Sequence, residues 1–365
     1  MLIRHCQQRA QRARVVHPGD LGAGEDHDVV REPGLGSGWR MGGRSFQVPG
    51  IVRARAAAAG AAGGRWLADL PETVAAVEAG WSVVVGEQLS GGTAAFVARA
   101  VTAAGTPAVV KIAVPELGFA RRVRTLAAAE GRGYVRLLAQ DPERDAVLLE
   151  ALGVSLDRSG LPPQTQLAIL SALLRLAWTV PPEDGDPVRD KAADLAELVS
   201  RLWEDLDRPC SEATIRYALR CARRRSAALE PHRCVVVHGD AAAANALRVL
   251  EPRPGAEAGF VFVDPDSFLG DPTYDLGVAL RDWTPQLLAA PDPAGLLHRY
   301  CHILAARSGM DPAAIWEWGF LERVSTGLYV LSFGADQLAR PMLATAEAIA
   351  TGDGGAQEAS VRPCR

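Results

Sequence analysis

No Cys-x-x-Cys pair occurs in the 365 residues; the six cysteines, Cys6, Cys210, Cys221, Cys234, Cys301 and Cys364, are scattered. That spacing offers neither a zinc site nor a disulfide framework, and a reducing cytoplasm is the expected compartment. Long apolar runs are missing too, so no membrane span is expected, and no apolar h-region of a secretory signal follows the start. An excess of charge of one sign is also missing: the formal net charge is −4, which gives no electrostatic case for nucleic acid. The one basic cluster, Arg216, Arg220, Arg223, Arg224 and Arg225, has no interleaved aromatic run and reads as a solvated helix face. Apolar periodicity is absent from Pro18 to Gly43, a Gly-, Asp- and Pro-rich run behind Arg4, Arg9, Arg12 and Arg14. A packed core cannot form there. Residues 1–45 therefore read as a disordered tail or a start assigned too early, with Met41 as an alternative start. The basic residues only weakly suggest a transit peptide.

About half of the residues are apolar, and the length suffices for two lobes with a substantial core. The chemistry concentrates in Val235-Val-Val-His-Gly-Asp-Ala-Ala-Ala-Ala-Asn245 and Phe260-Val-Phe-Val-Asp-Pro-Asp266. Val235 to Val237 reads as a short buried strand that delivers His238, Gly239 and Asp240 to a turn. Asn245 follows Asp240 by five residues. After a Pro-Gly turn at Pro252 to Gly255, a second apolar strand ends on Asp264. A hairpin of these strands would gather Asp240, Asn245 and Asp264 at one point. One carboxylate to orient a hydroxyl, with an amide and a second carboxylate to hold magnesium, is the chemistry of phosphoryl transfer. The Asp-to-Asn spacing matches the kinase catalytic loop, with its metal-binding Asp downstream. His-Gly-Asp alone would be an ordinary turn, and Asp264 alone a strand cap. Together with Gly270-Asp-Pro-Thr-Tyr-Asp-Leu276, the motifs resemble the aminoglycoside phosphotransferase family, in the streptomycin-type branch, from about Phe46 to about Gly354.

The resemblance implies a two-lobed protein-kinase-like α+β fold: a small antiparallel-sheet lobe and a larger, mainly helical one. The expected layout is an N-terminal extension and nucleotide-binding lobe over 46–150, a helical catalytic and substrate lobe over 151–354, and a tail over 355–365. Ile51 to Ala62 reads as an Ala-rich helix, and Pro71 as the first turn of another. Strands Trp81 to Leu89 and Ala94 to Val101 flank Ser90-Gly91-Gly92-Thr93. This is either a plain hairpin turn or a cradle whose backbone N–H groups approach phosphates. Lys111 lies in the apolar strand Ala108 to Val114, where burial of an ammonium calls for an anionic partner; the kinase pattern makes that partner the nucleotide phosphates. The resemblance makes Glu150 to Gly153 a hinge whose backbone, at Glu150 and Leu152, hydrogen-bonds adenine. It also implies ATP and Mg2+ as cofactors and a small aminoglycoside-like hydroxyl acceptor, with neither nucleic acid nor membrane as partner; protein partners stay open. Two departures stand out. Arg122 occupies the helix position (116–129) where a Glu would pair with Lys111; Glu116 and Glu130 are the substitutes at hand, and neither sits in the expected turn. Ala242 and Ala244 replace a polar and a flexible residue of the catalytic loop.

The remainder reads as helical: Pro163 to Trp178, Asp186-Pro187 opening a helix to Leu206, Ser211 to Leu229, Leu276 to Leu288, Pro293 to Ser308, Pro312 to Trp318 and Leu321 to Ile349. Gly319 reads as a break in the last pair. Trp283, Trp316 and Trp318 read as core. Asp271 and Asp275 are, by resemblance, supports of the catalytic loop. Asp266 shares a face with Asp264 if the strand persists. Asp282, Glu317 and Glu322 lie where an acceptor site usually forms, although most exposed acids serve solubility. The sequence thus points to ATP-dependent O-phosphorylation of an aminoglycoside-like molecule. Alternatives are a kinase for another small acceptor and a nucleotide-binding pseudokinase with a regulatory role.

Overall fold

The structure is a computed structural model that describes residues 38–41, 44–89, 94–115 and 118–360. The chain opens with the antiparallel hairpin β1 (Gly38–Met41) and β2 (Arg44–Gln47), then helices α1 (Gly50–Ala58) and α2 (Gly60–Trp81). Strands β3 (Val83–Gln88), β4 (Ala95–Thr102) and β5 (Pro107–Ala113) precede helix α3 (Phe119–Ala129). Strands β6 (Leu137–Asp141), β7 (Ala146–Glu150) and β8 (Leu152–Ser155) follow. Then come α4 (Pro163–Ala177), α5 (Lys191–Asp205) and α6 (Glu212–Ala227). Short strands β9 (Val235–Val237), β10 (Ala246–Val249), β11 (Phe260–Phe262) and β12 (Phe268–Gly270) carry the motifs. Helices α7 (Pro272–Ala279), α8 (Thr284–Ala289), α9 (Pro293–Ser308), α10 (Pro312–Ser332) and α11 (Asp336–Ser360) complete the chain.

Contacts divide the described residues into two compact units. The sheet unit runs to Ala120 and includes Leu138–Ala151. Its antiparallel sheet has the order β3-β4-β5-β7-β6. Alternation puts Val83, Val85, Phe96, Ala98, Val110, Ile112 and Leu148 on one face. Against them pack Phe46, Val48, Ile51 and Val52 with Leu70, Val74 and Val77 of α2, all in one buried cluster. Pro71 does not open a helix but lies inside α2. An internal proline costs about 3 kcal/mol. Leu70, Val74 and Val77 continue one buried stripe across it, and each stabilises by roughly 1.5–3 kcal/mol, so the helix persists.

The helical unit comprises Arg121–Leu137 and residues 152–360. Arg121–Leu137 was expected with the sheet. Backbone bonds hold it elsewhere: Val135 N–H donates to Phe262 O (2.9 Å), and Phe262 N–H to Gly133 O (2.8 Å). Arg253 Nη1 adds a bond to Gly131 O (2.6 Å). Three helix boundaries also differ from the sequence expectation. Asp186-Pro187 does not start α5, because Val188 bridges Leu269 and the Arg189 N–H donates to Leu269 O. The segment is therefore extended until Asp190, whose carboxylate caps Ala193 N–H. The Leu276 to Leu288 helix is instead two, α7 and α8, with Asp275 inside the first. Gly319 does not break α10. A Cβ on Gly277 would lie 2.3 Å from Trp318 Cβ, and one on Gly319 would lie 2.9 Å from Leu280 Cδ1. The two glycines let α7 and α10 approach closely, and the real break falls at Gly334 in the left-handed region (φ 73°). Trp283, Trp316 and Trp318 are buried. No helix among the described residues is long and apolar enough to cross a membrane.

Candidate active site

Strand β9 pairs with β12, Val237 opposite Phe268, and ends in the turn His238-Gly239-Asp240. Gly239 takes φ 83°, and a Cβ there would strike Asp266 Cβ at 2.7 Å and Phe268 Cε1 at 3.0 Å. Only glycine meets both demands. Helix α7 clamps this turn from behind. Asp275 Oδ2 accepts from His238 N–H (2.8 Å) and from Trp178 Nε1–H (3.0 Å), and Oδ1 accepts from Gly239 N–H (2.8 Å). Burial pushes the Asp275 carboxyl above its ordinary value, although His238, the Trp178 indole and the two backbone bonds oppose the shift. Asp271, by contrast, does not touch the turn. It caps α7 through Thr273 N–H (2.9 Å) and accepts from Trp318 Nε1–H (2.9 Å).

His238 is fully buried. Its Nδ1 accepts from Asp240 N–H (3.1 Å), which leaves the proton on Nε2 to donate to Val263 O (3.0 Å). One ring thereby ties the Asp240 turn to the end of β11. Tyr134 stacks parallel to it with centroids 5.8 Å apart, and Phe262 tilts against it at 4.6 Å. Burial raises the Tyr134 hydroxyl well above its ordinary value, with Asp275 adding to the shift.

Asp240 keeps its side chain 18% exposed and accepts on both oxygens. Asn245 Nδ2 donates to Oδ2 (2.8 Å) and also to the Asp240 carbonyl (2.8 Å). Arg281 Nη2 donates to Oδ1 (2.8 Å). Asn245, buried in the turn Ala243–Asn245, spends its side-chain donors on Asp240, leaving Oδ1 for another ligand. Its carbonyl accepts from Val263 N–H (2.9 Å), which brings β11 and Asp264 alongside. Asp264 is half-buried in the left-handed region (φ 58°), as is the buried Ser267 (φ 56°). Asp266 N–H donates to His238 O (2.6 Å), which stitches the Asp-Pro-Asp segment to the His-Gly-Asp turn. Asp266 Oδ1 faces Arg122 Nη2 at 3.5 Å. Arg122 thus has a carboxylate partner within the helical unit.

A family model described as aminoglycoside/hydroxyurea antibiotic resistance kinase matches residues 80–334. The chain belongs to that family. As a member of these antibiotic resistance kinases it is a phosphotransferase that acts on a hydroxyl group. It is 26% identical over 304 residues to streptomycin 6-kinase of Streptomyces griseus, covering 82% of this chain and 96% of that one. It is 29% identical over 259 residues to hydroxyurea phosphotransferase of Kitasatospora aureofaciens, covering 67% and 71%. Among solved structures, choline kinase LicA of Streptococcus pneumoniae is similar with a TM-score of 0.50 at 14% identity, covering 77% of this chain and 99% of that one. The fold is the protein-kinase-like one, a small antiparallel sheet and a mainly helical remainder.

The structure of this kinase brings together Asp240, Asn245 and the strand end that carries Asp264. Lys111 sits mid-strand on β5, opposite Val97 on β4 and Val147 on β7. It is half-buried on the sheet face opposite Val110 and Ile112. Glu150 closes β7 opposite Ala108, and Leu152 opens β8 opposite Val249 of β10. Ser90, Gly91 and Gly92 lie outside the described residues, as does Glu116. Arg281 is the residue that sequence reasoning missed. It is almost wholly buried, and its Nε lies 3.3 Å from Asp282 and its Nη1 3.7 Å from Glu322. Burial alone would lower its pKa, but Asp240, then Asp282 and Glu322, outweigh burial and raise it well above the ordinary value. Its signal was a charged residue closing an otherwise apolar run from Leu276 to Leu280. Glu317, considered for the acceptor side, is instead paired with Arg224 (3.2 Å) and Arg225 (2.6 Å) of α6.

Proposed function

We propose that the chain is an ATP-dependent O-phosphotransferase whose acceptor is a hydroxyl of an aminoglycoside-like small molecule. The observation that carries this reading is the Asp240 carboxylate, fixed through both oxygens at the partly open end of a buried turn. In that role Asp240 orients the acceptor hydroxyl and takes its proton. Asn245 and Asp264 are the residues to hold magnesium. The amide oxygen of Asn245 and the Asp264 carboxylate would offer that ion the hard oxygen donors it takes. When bound, it would supply positive charge against the negative charge of the phosphates. Lys111 supplies a second positive charge to the nucleotide phosphates. The backbone of Ser90, Gly91 and Gly92 is assigned to the phosphates, and that of Glu150 and Leu152 to adenine. On this reading residues 46–150 are the nucleotide part and 151–354 the catalytic and substrate part. Most of the acceleration is positioning and charge stabilisation.

The test is transfer of radiolabelled phosphate from Mg-ATP to a panel containing streptomycin, other aminoglycosides and hydroxyurea. Label on streptomycin or another aminoglycoside is expected. A second reading, a hydroxyurea kinase, draws support from the 29% identity to hydroxyurea phosphotransferase; label on hydroxyurea alone would favour it. Nucleotide binding without transfer to any acceptor would leave a pseudokinase and overturn both.

A further inference from the structure

The loop from Ala241 to Ala244 holds four alanines in a row, so it offers no side chain that can hydrogen-bond Asp240. Whatever fixes the Asp240 carboxylate must reach it from elsewhere. On Oδ2 that group is Asn245, and on Oδ1 it is Arg281, each at 2.8 Å. Resting on the reading of Asp240 as the group that meets the acceptor, we propose that Arg281 is its positioning residue, clamping the carboxylate to α7 in the orientation that phosphoryl transfer needs.

Three features support this. First, Arg281 presents a different nitrogen to each of three carboxylates: Nη2 to Asp240, Nε to Asp282 and Nη1 to Glu322. That geometry uses the planar fork of a guanidinium, and a single ammonium nitrogen cannot reproduce it. Second, Arg281 is itself anchored. Glu322, buried on α10, accepts from the Tyr274 hydroxyl on Oε1 (2.9 Å) while its Oε2 faces Arg281. The guanidinium is therefore braced by α10 before it touches Asp240. Third, α7 already holds the same turn by its backbone, through Asp275 on His238 and Gly239. Asp275 sets where the turn lies, and Arg281, just beyond the Leu280 cap of α7, sets how the Asp240 side chain points. With a donor on each oxygen, rotation of the carboxylate is blocked.

The test compares Arg281→Lys, Arg281→Ala, Glu322→Gln and Asp240→Asn in the full chain, with Mg-ATP and streptomycin, each checked by circular dichroism for folding. In Arg281→Lys and Arg281→Ala, kcat should fall by about 10²-fold, the scale of a misplaced reacting group, with KM for Mg-ATP nearly unchanged. Glu322→Gln should show a smaller fall of the same kind. Ethylguanidinium added to Arg281→Ala should restore part of kcat, which a general loss of folded protein would not allow. Should Arg281→Ala not fold, Arg281→Lys and Glu322→Gln carry the comparison. A folded Arg281→Lys or Arg281→Ala with parental kcat, beside an inactive Asp240→Asn, overturns the role of Arg281 alone. Parental kcat in Asp240→Asn itself overturns the underlying reading of Asp240.

Discussion

Asp240 and Asp264 sit on adjoining strand ends, yet their surroundings predict different failures when either charge is removed. Asp240 is spent on Arg281 and Asn245. Asp240→Asn should therefore lower turnover by about 10²-fold or more, the range for a lost acid–base group, while Mg-ATP affinity changes little. Asp264→Asn should weaken magnesium-dependent nucleotide binding as well as turnover. Titrating Mg-ATP into both variants and assaying transfer separates the two roles; equal loss of nucleotide affinity in both would reject the division. Asp275 makes a third case. All its partners are N–H donors, so Asp275→Asn turns an amide NH2 towards at least one of them. A buried donor left unsatisfied costs about 1–3 kcal/mol. The expected result is a lower urea midpoint together with lost activity, and an unchanged midpoint would show that the turn has other support. That Asp240, Asn245 and the end of β11 with Asp264 come together was legible in the sequence, because a fixed spacing between strand ends sets it. Arg281 was not, because its meaning lies in contacts with Asp240 and Glu322 that span some forty residues of sequence in either direction.

At the level of elements, the sequence reading succeeded where periodicity decides and failed where packing overrides a local signal. Strands β4, β5 and β7 and helices α4, α6 and α9 fall close to their expected ranges, since apolar spacing and caps such as Ser211 define them. Gly319 and Pro71 misled because each is a breaker by propensity but serves a packed helix here. The glycine crossing gives a graded expectation. Replacing helical Gly by Ala normally stabilises by roughly 0.5–1 kcal/mol. At Gly277 the new Cβ would meet Trp318 Cβ at 2.3 Å and backbone atoms under 3.0 Å. Overpacking of that kind costs about 1–3 kcal/mol and wins. At Gly319 the nearest atom is the end of the Leu280 side chain, which can turn aside. Thermal unfolding should show Gly277→Ala clearly destabilised and Gly319→Ala much less so, and the reverse order would contradict the close crossing. Helix α3 gives a second case. By sequence pattern alone Arg122 displaces a glutamate, and on that ground Arg122→Glu raises turnover or tightens ATP binding. The structure places Arg122 against Asp266. Because the pair is partly exposed, it stabilises by no more than about 1 kcal/mol. Arg122→Glu would set two carboxylates face to face beside Asp264. It is expected to lower turnover, and a gain in turnover would show that the pair with Asp266 is idle.

On the scale of the whole molecule, the family match begins at residue 80, but the core of the sheet unit does not. Phe46, Val48, Ile51 and Val52, with Leu70, Val74 and Val77 of α2, belong to the same buried cluster as Val85, Phe96, Val110 and Ile112 of the sheet. That the chain holds an antiparallel sheet and a mainly helical remainder was readable, because the strand patterns cluster before Glu150 and helical spacing dominates after it; that Arg121–Leu137 groups with the helical unit was not. The dependence of the sheet on the segment before it was not readable, since Ile51 to Val77 shows only helical spacing and nothing in that spacing names its partner. The consequence is a sharp boundary for truncation. A chain starting at Met41 keeps every one of these buried side chains and should unfold at the temperature of the full chain. A chain starting at residue 80 loses seven large apolar side chains from the cluster. At roughly 1.5–3 kcal/mol each, that is on the order of 10 kcal/mol, comparable with the whole stability of a typical domain. It also uncovers one face of β3, β4 and β5, including the strand that presents Lys111. The expected outcome is an aggregating or unfolded sheet unit that binds no Mg-ATP. Thermal unfolding and nucleotide titration of the two truncated chains provide the check. A chain from residue 80 that melts and binds like the full protein would mean that the cluster around Phe46 and α2 is an ornament on a self-sufficient sheet.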